Sequence, residues 1–415
     1  MSTTEPMVIV GAGQCGARAS QALRENGWDG AITLFGDEGL LPYERPPLSK
    51  SVLLGQKTTA QCAIYDEAFF REQRIDLRTD APVAAIDRVG HRVVLASGDT
   101  LGYHRLLIAT GSRPRRLDLP GATLAGVHML RSVCDAHAIS AELRPGRRIA
   151  VIGAGFIGLE IAATAVALGC EVVVLEGASR ALMRAVPEVV AQCLVAQHRQ
   201  RGVDVRFGVH VERLVGTPRV SGVQLVDGTT LACDAVIAGI GVMPCTELAQ
   251  AANLDVENGV AVDATLCTND PRIFAAGDVC SFPHPLFGRR IRLECWKNAE
   301  DQARVVARNM LGHGEACSSV PWFWSDQYDM TIQIAGMPAL GTTMVVRETG
   351  SASRVFFALD GDGVLVGASG VGQTGEIARD VRFAQELIAR RACVAPHLLA
   401  DRGTKLRSLL AAEAQ

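Results

Sequence analysis

Two stretches of the sequence, MVIVGAGQCG (7–16) and IAVIGAGFIG (149–158), repeat one pattern: an apolar strand, then G-x-G-x-x-G, then apolar residues at helical spacing. A single glycine-rich turn of this kind is a weak signal. Here each copy has a strand before it, a helix after it and an acidic residue at the end of the next strand, about 20 residues on, as dinucleotide binding requires. The first glycine permits the tight turn, the second lets backbone approach a pyrophosphate, and the third lets helix pack on strand. The helix N-terminus then offers its N–H groups to the phosphates. In the first copy these glycines are Gly11, Gly13 and Gly16, with Cys15 inside the motif, and in the second Gly153, Gly155 and Gly158.

The pattern sets the rest of the plan. In the first copy the helix is predicted over 15–26 and the next strand is AITLF (31–35), followed by Asp37. In the second the helix covers 155–168, and strand EVVVL (171–175) ends at Glu176. HRLLIATGSRPRR (104–116) and DAVIAGIGVMPC (234–245) are strands that close on glycines before proline, which suits crossings out of and back into a first domain. PRIFAAGDVC (271–280) adds another strand, with a helix near 298–311. The expected fold is therefore α/β: two Rossmann-like dinucleotide-binding domains, the second inserted in the first. Strand candidates MTIQIAG, TTMVVRE, RVFFALD and VLVGASG, then helices near 374–390 and 405–412, predict a C-terminal α+β domain. The expected boundaries are 1–111 with 246–320, then 112–245, then 321–415.

Composition removes several alternatives. With 415 residues, 48% of them hydrophobic, the chain can bury more than one core. Its 41 basic and 44 acidic side chains leave a net charge of -3, which gives no electrostatic reason to bind nucleic acid or an anionic membrane. The start of the sequence lacks the basic region of a signal peptide, and the most apolar stretch, 149–175, is broken by Glu160, Glu171 and glycines. A cytoplasmic location is expected. Twelve cysteines form no close pair, so they are expected mostly as small buried hydrophobes.

Two dinucleotide motifs, ATG (109–111) and GD (277–278) together resemble the two-dinucleotide-fold flavoprotein reductases of the glutathione reductase type. Within that superfamily PYERPPLSK (42–50), FIGLE (156–160) and PWFWSDQY (321–328) are similar to the FAD-dependent NADH:ferredoxin reductases of Rieske-type oxygenase and cytochrome P450 systems. The resemblance implies FAD in the first domain and NADH in the second. It implies hydride transfer to the flavin, then single-electron transfers to a [2Fe-2S] ferredoxin that feeds a terminal oxygenase. Relatives that reduce disulfides carry a Cys-x4-Cys pair after the first dinucleotide unit, whereas 40–54 of this chain has no cysteine. Two other readings on the same fold stay open: an NADH oxidase or peroxidase, and a flavoprotein of the apoptosis-inducing-factor kind that responds to NADH. A monomer and a homodimer are equally open.

By the same resemblance Lys50, paired with Glu160, is the candidate catalytic cation for the charge that builds on the flavin near N5. The FAD set is Gly11, Gly13, Cys15, Gly16, Asp37 on the adenosine ribose, Arg45, Val83, Ala109, Thr110, Gly111, Arg131, Gly277, Asp278 on the ribityl chain, Trp296 and Trp324. The NADH set is Gly153, Gly155, Phe156, Ile157, Gly158, Glu176, Arg184, Ile240 and Gly241. Glu176 would accept from a ribose 2'-hydroxyl and repel a 2'-phosphate, with Arg180 and Arg184 close by to weaken that preference. Trp322 and Trp324 stand in the segment that would cover the flavin's exposed side, and Arg304 and Arg308, four apart on one helix, form either a solvated face or a contact for an acidic partner.

Overall fold

In this computed structural model residues 5–183 and 185–412 are described. The chain divides into two compact units. One comprises Met1–Glu44, Ala60–Arg113 and Val242–Ser319, the other Arg45–Thr59, Pro114–Gly241 and Val320–Gln415.

The first unit is built on a five-stranded parallel sheet in the order Ile273–Ala275, Arg105–Ile108, Met7–Val10, Ile32–Phe35, Ile75–Arg78. Met7–Val10 lies in the middle, in register with Ile32–Phe35 on one side and Arg105–Ile108 on the other, and all four of its residues are buried. A central parallel strand is covered on both faces, which is why its sequence is a continuous apolar run and not an alternating one. The strand Ile273–Ala275 joins this sheet after an excursion of more than a hundred residues, as the inserted-domain plan requires. This unit's two longest helices among the described residues are Gln14–Glu25 and Trp296–Met310, each one or two residues from its predicted place.

The second unit repeats the arrangement with the order Asp204–Phe207, Glu171–Glu176, Arg148–Ile152, Ala235–Ala238, Val127–Met129. Helix Phe156–Ala167 opens directly from the second glycine turn. The same unit holds a five-stranded antiparallel sheet in the order Trp322–Gln327, Met330–Gly336, Leu365–Gly372, Arg354–Leu359, Thr343–Glu348. Helix Thr374–Ala389 lays Ile377, Val381, Ala384 and Leu387 on it. Gly370 makes room: a Cβ there would stand 2.8 Å from Val381 Cγ2.

Two features depart from the sequence reading. Three-stranded antiparallel sheets over 83–102 and 211–232 were not predicted, because their strands are short and their exposed faces carry little periodic signal. The cysteines are less uniformly buried than expected. Six are buried, four are half-buried, and Cys134 and Cys393 are exposed. Cys134 belongs to helix Val133–Glu142 but lies off its buried stripe of Val133, Ala136 and Ile139. Among the described residues no helix is long and apolar enough to cross a membrane, and no His, Cys, Asp and Glu cluster is placed to hold a metal ion.

Candidate functional site

The three glycines of the first turn are required for different reasons. Gly11 has φ +114°, and a Cβ there would lie 2.2 Å from the Ala109 carbonyl oxygen. At Gly16 a Cβ would lie 2.0 Å from the Gly11 carbonyl oxygen. Gly13, the helix N-cap, has ordinary extended dihedrals and open space where its Cβ would be. The protein's own packing demands the first and third glycines, and only a ligand coming close to the backbone demands the second. Beside it, both amide atoms of Gln14 are buried with no protein partner. A phosphate-bearing group fits this cradle. Gln14 was not predicted from the sequence; its signal is its position as the first residue of the helix.

Around the turn, Ala109 donates its N–H to the Val10 carbonyl, and Thr110 Oγ1 donates to the Cys245 carbonyl at 2.7 Å. Asp278 is half-buried and accepts from Ser112 Oγ at 2.8 Å. Gly277, at φ +81°, donates its N–H to Gln302 Oε1 at 2.7 Å and comes within 3.1 Å, measured from its would-be Cβ, of Cys15 Cβ. Burial, reinforced by the Asp278 charge, holds the Cys15 thiol well above the usual range, so this cysteine is a packing residue and not a thiolate. Glu38 accepts the Tyr43 hydroxyl, while its neighbour Asp37 is exposed at the end of the second strand. Val83 starts a strand paired with Leu95, and Trp296 is the first residue of helix Trp296–Met310. Farther along that helix, Arg304 and Arg308 are ion-paired to Glu300 and Glu315 within their own unit.

The second turn in the other unit follows the same logic. Gly153 has φ +103°, and its Cβ would meet the Gly239 carbonyl oxygen at 2.5 Å. A Cβ at Gly158 would meet the Gly153 carbonyl oxygen at 2.1 Å, and one at Gly155 meets nothing closer than 3.8 Å. This cradle also fits a dinucleotide. Ile157, in the first turn of the helix, is exposed despite its apolar side chain, and Phe156 packs on Phe323 with centroids 4.4 Å apart. Ile240 lies against the sheet core, and Gly241 at φ +98° accepts the Arg115 N–H.

Glu176 does more than the sequence suggests. Its Oε2 accepts the Ala154 N–H at 2.7 Å and its Oε1 the Ala178 N–H at 2.8 Å, so the carboxylate braces the glycine turn. Arg180 turns back to the Ala181 and Met183 carbonyls. Arg184 lies outside the described residues. Glu176→Ala is therefore expected to lower the NADH over NADPH preference about tenfold, the effect of one charged hydrogen bond, and to weaken binding of both nucleotides through the loosened turn. Steady-state kcat/KM for the two coenzymes checks this.

Also in the second unit, Pro46–Ser49 forms one 3-10 turn, with Pro at its start supplying the fixed φ and Lys50 following as the C-cap. Thr164 Oγ1 pins this turn by donating to the Ser49 carbonyl at 2.8 Å. Lys50 Nζ meets Glu160 Oε1 at 2.8 Å, with side-chain exposures of 21% and 3%. Two residues the sequence did not flag complete the carboxylate's surroundings: Ser49 Oγ donates to Oε2 and Ser325 Oγ to Oε1, each at 2.5 Å. Arg45 Nη1 donates to the Arg131 carbonyl at 2.7 Å. In the strand Trp322–Gln327 side chains alternate. Trp322 and Trp324 stack at 5.3 Å on one face, and Phe323, Ser325 and Gln327 occupy the other.

A chain with two glycine cradles, each opening a helix on a parallel sheet, is a two-dinucleotide protein. Residues 5–303 match the Pyridine nucleotide-disulphide oxidoreductase family and 322–410 the Reductase C-terminal family, and the chain belongs to this group. It is 43% identical over 411 residues to the anthranilate 1,2-dioxygenase system ferredoxin--NAD(+) reductase component of Burkholderia cepacia, covering 98% of this chain and 100% of that one. It is 37% identical to putidaredoxin reductase of Pseudomonas putida, covering 99% and 98%. Among solved structures, the ferredoxin reductase of the CYP199A2 system from Rhodopseudomonas palustris superposes with a TM-score of 0.93 at 38% identity, covering 97% and 99% of the two chains. The reductase in the covalent putidaredoxin reductase–putidaredoxin complex superposes at 0.94 and 36%, over the whole of both chains.

Proposed function

We propose that this protein is an FAD-dependent NADH:ferredoxin oxidoreductase that supplies electrons to a [2Fe-2S] ferredoxin of a Rieske-type oxygenase or cytochrome P450 system, in the cytoplasm. The observation that carries the reading is the Lys50–Glu160 pair, whose lysine stands in a segment, 40–54, that has no cysteine. A disulfide relay needs a thiol pair there, and this chain offers a cation instead. Bound FAD would take two electrons from NADH and release them one at a time.

The chain's residues do the rest. The assigned FAD domain is 1–111 with 246–320, where the turn from Gly11 to Gly16 takes the pyrophosphate, Asp37 the adenosine ribose and Asp278 the ribityl chain. Val83, Ala109, Thr110, Gly111, Gly277 and Trp296 shape the remainder. The assigned NADH domain is 112–245. There the turn from Gly153 to Gly158 takes the pyrophosphate, Glu176 selects the 2'-hydroxyl, and Phe156, Ile157, Ile240 and Gly241 guide the nicotinamide half. Lys50, held by Glu160, is a fixed positive charge, and fixed charges stabilise developing negative charge without reorganisation. The C-terminal domain, 321–415, presents Trp324 toward the ferredoxin.

The test is steady-state reduction of cytochrome c by NADH, with and without [2Fe-2S] ferredoxins of the Rieske-associated and P450-associated types. Acceleration by at least one of them is expected, and NADH should outperform NADPH. If no ferredoxin of either type accelerates the reaction, the reading fails.

A further inference from the structure

Glu160 is almost completely buried, and a carboxylate removed from water costs several kcal/mol unless donors replace the solvent. Beyond Lys50 and Ser49, its remaining donor is Ser325, the inner end of a single file of side chains that are buried except for the half-buried Tyr328 at the outer end. Ser325 Oγ, 2.5 Å from Glu160 Oε1, receives the Gln327 amide at 3.1 Å. Gln327 Oε1 lies 2.8 Å from His198 Nε2, and His198 Nδ1 lies 2.9 Å from the Tyr328 hydroxyl. His198 is fully buried on helix Glu188–Gln200, while the other members all stand on the strand Trp322–Gln327 and its turn.

The roles along this file are linked. An ionised carboxylate only accepts, so Ser325 must give it its proton. Ser325 then takes the Gln327 NH₂, which leaves the Gln327 oxygen facing His198. Nε2 of His198 must therefore carry the proton, and Nδ1 accepts from Tyr328. The opposite arrangement, with Nδ1 protonated and the amide turned over, would claim the Ser325 proton for Gln327 and strip Glu160 of a donor. Burial favours the neutral imidazole and pushes the Tyr328 hydroxyl up to about 12, so both ends keep these roles at neutral pH. Tyr328 itself sits at φ +59° in the two-residue hairpin turn that joins Trp322–Gln327 to Met330–Gly336, where the turn geometry calls for a positive φ. Arg201 lies over its ring at 4.3 Å and pairs with Asp329, fixing the outer end.

We propose that the file Tyr328, His198, Gln327, Ser325 is a one-way donor chain that holds the Glu160 carboxylate oriented toward Lys50. This makes His198 a positioning residue for that pair. The role in turnover rests on the function proposed above; the polarity of the chain does not.

Histidine-selective ¹⁵N NMR of the holoprotein, with the His198 signals assigned by loss in His198→Gln, reads the polarity directly. The Nε2–H tautomer is expected, and the Nδ1–H tautomer would overturn the proposal. Stopped-flow reduction of the flavin by NADH reads the consequence. His198→Leu should slow it about tenfold, the worth of one net hydrogen bond, with NADH affinity unchanged. His198→Gln, which can still donate to Gln327, should recover most of the rate. Equal losses in both variants, or none in either, would count against a positioning role. Should His198→Leu not fold, Tyr328→Phe removes only the outermost donor; because the polarity is imposed from the Glu160 end, His198 should keep the Nε2–H tautomer, and a switch to Nδ1–H would overturn the chain as drawn. A wild-type protein that takes no electrons from NADH would defeat the functional reading while leaving the tautomer result decisive.

Discussion

Replacing Lys50 by methionine is expected to slow flavin reduction by NADH about a hundredfold, the usual effect of removing one preorganised electrostatic group from a reaction centre. The same change leaves Glu160 buried without its counter-ion, and breaking one side of a buried pair costs about 3 to 5 kcal/mol. The two effects separate in the double variant Lys50→Met, Glu160→Gln. Neutralising the carboxylate should restore most of the lost melting temperature, because Ser49 and Ser325 can still bond to the amide. It should restore none of the rate. Recovery of both together would mean that Lys50 serves only to neutralise Glu160.

The glycine turn gives the second large effect. Gly11→Ala must fail at the level of the fold, since φ +114° strains any side chain and the added carbon would lie 2.2 Å from the Ala109 carbonyl oxygen. Gly13→Ala meets neither obstacle in the protein itself. Its stability in the absence of flavin should change by less than about 1 kcal/mol, the scale of an N-cap exchange. Its FAD affinity should fall about ten- to a hundredfold, because the new methyl group takes space needed by the pyrophosphate and overpacking costs about 1 to 3 kcal/mol. Calorimetric FAD titration alongside thermal melts of the flavin-free form distinguishes the two variants. Wild-type FAD affinity in Gly13→Ala would remove the turn from the cofactor site.

These variants also show how far the sequence reaches. Both dinucleotide units, their helices and the C-terminal strands were legible because a buried parallel strand is a continuous apolar run and a glycine turn between strand and helix has few alternatives. The pair Lys50 and Glu160 was named from motif resemblance, not from any local signal. Ser49 and Ser325 escaped notice because a serine's value depends on what stands opposite it, and here that partner is more than a hundred residues away in both cases. His198 escaped for the same reason. On a helix of mixed polarity it reads as an ordinary histidine, and its link to Gln327 spans 129 residues.

The sequence by itself determined the architecture, the two cradles, the absence of cysteine from 40–54 and the acidic residues at the strand ends. Each follows from local spacing, and local spacing survives without tertiary contacts. Only the tertiary structure decided that Gly13 faces open space and Gly155 meets nothing nearer than 3.8 Å, while the glycines beside them meet backbone at close range. It alone showed that Glu176 braces the turn it follows, and that a file of donors from two distant elements converges on one carboxylate. Such facts depend on which side chains meet after folding, since a buried charge is compensated by whatever groups the packing brings to it and not by its neighbours in the chain.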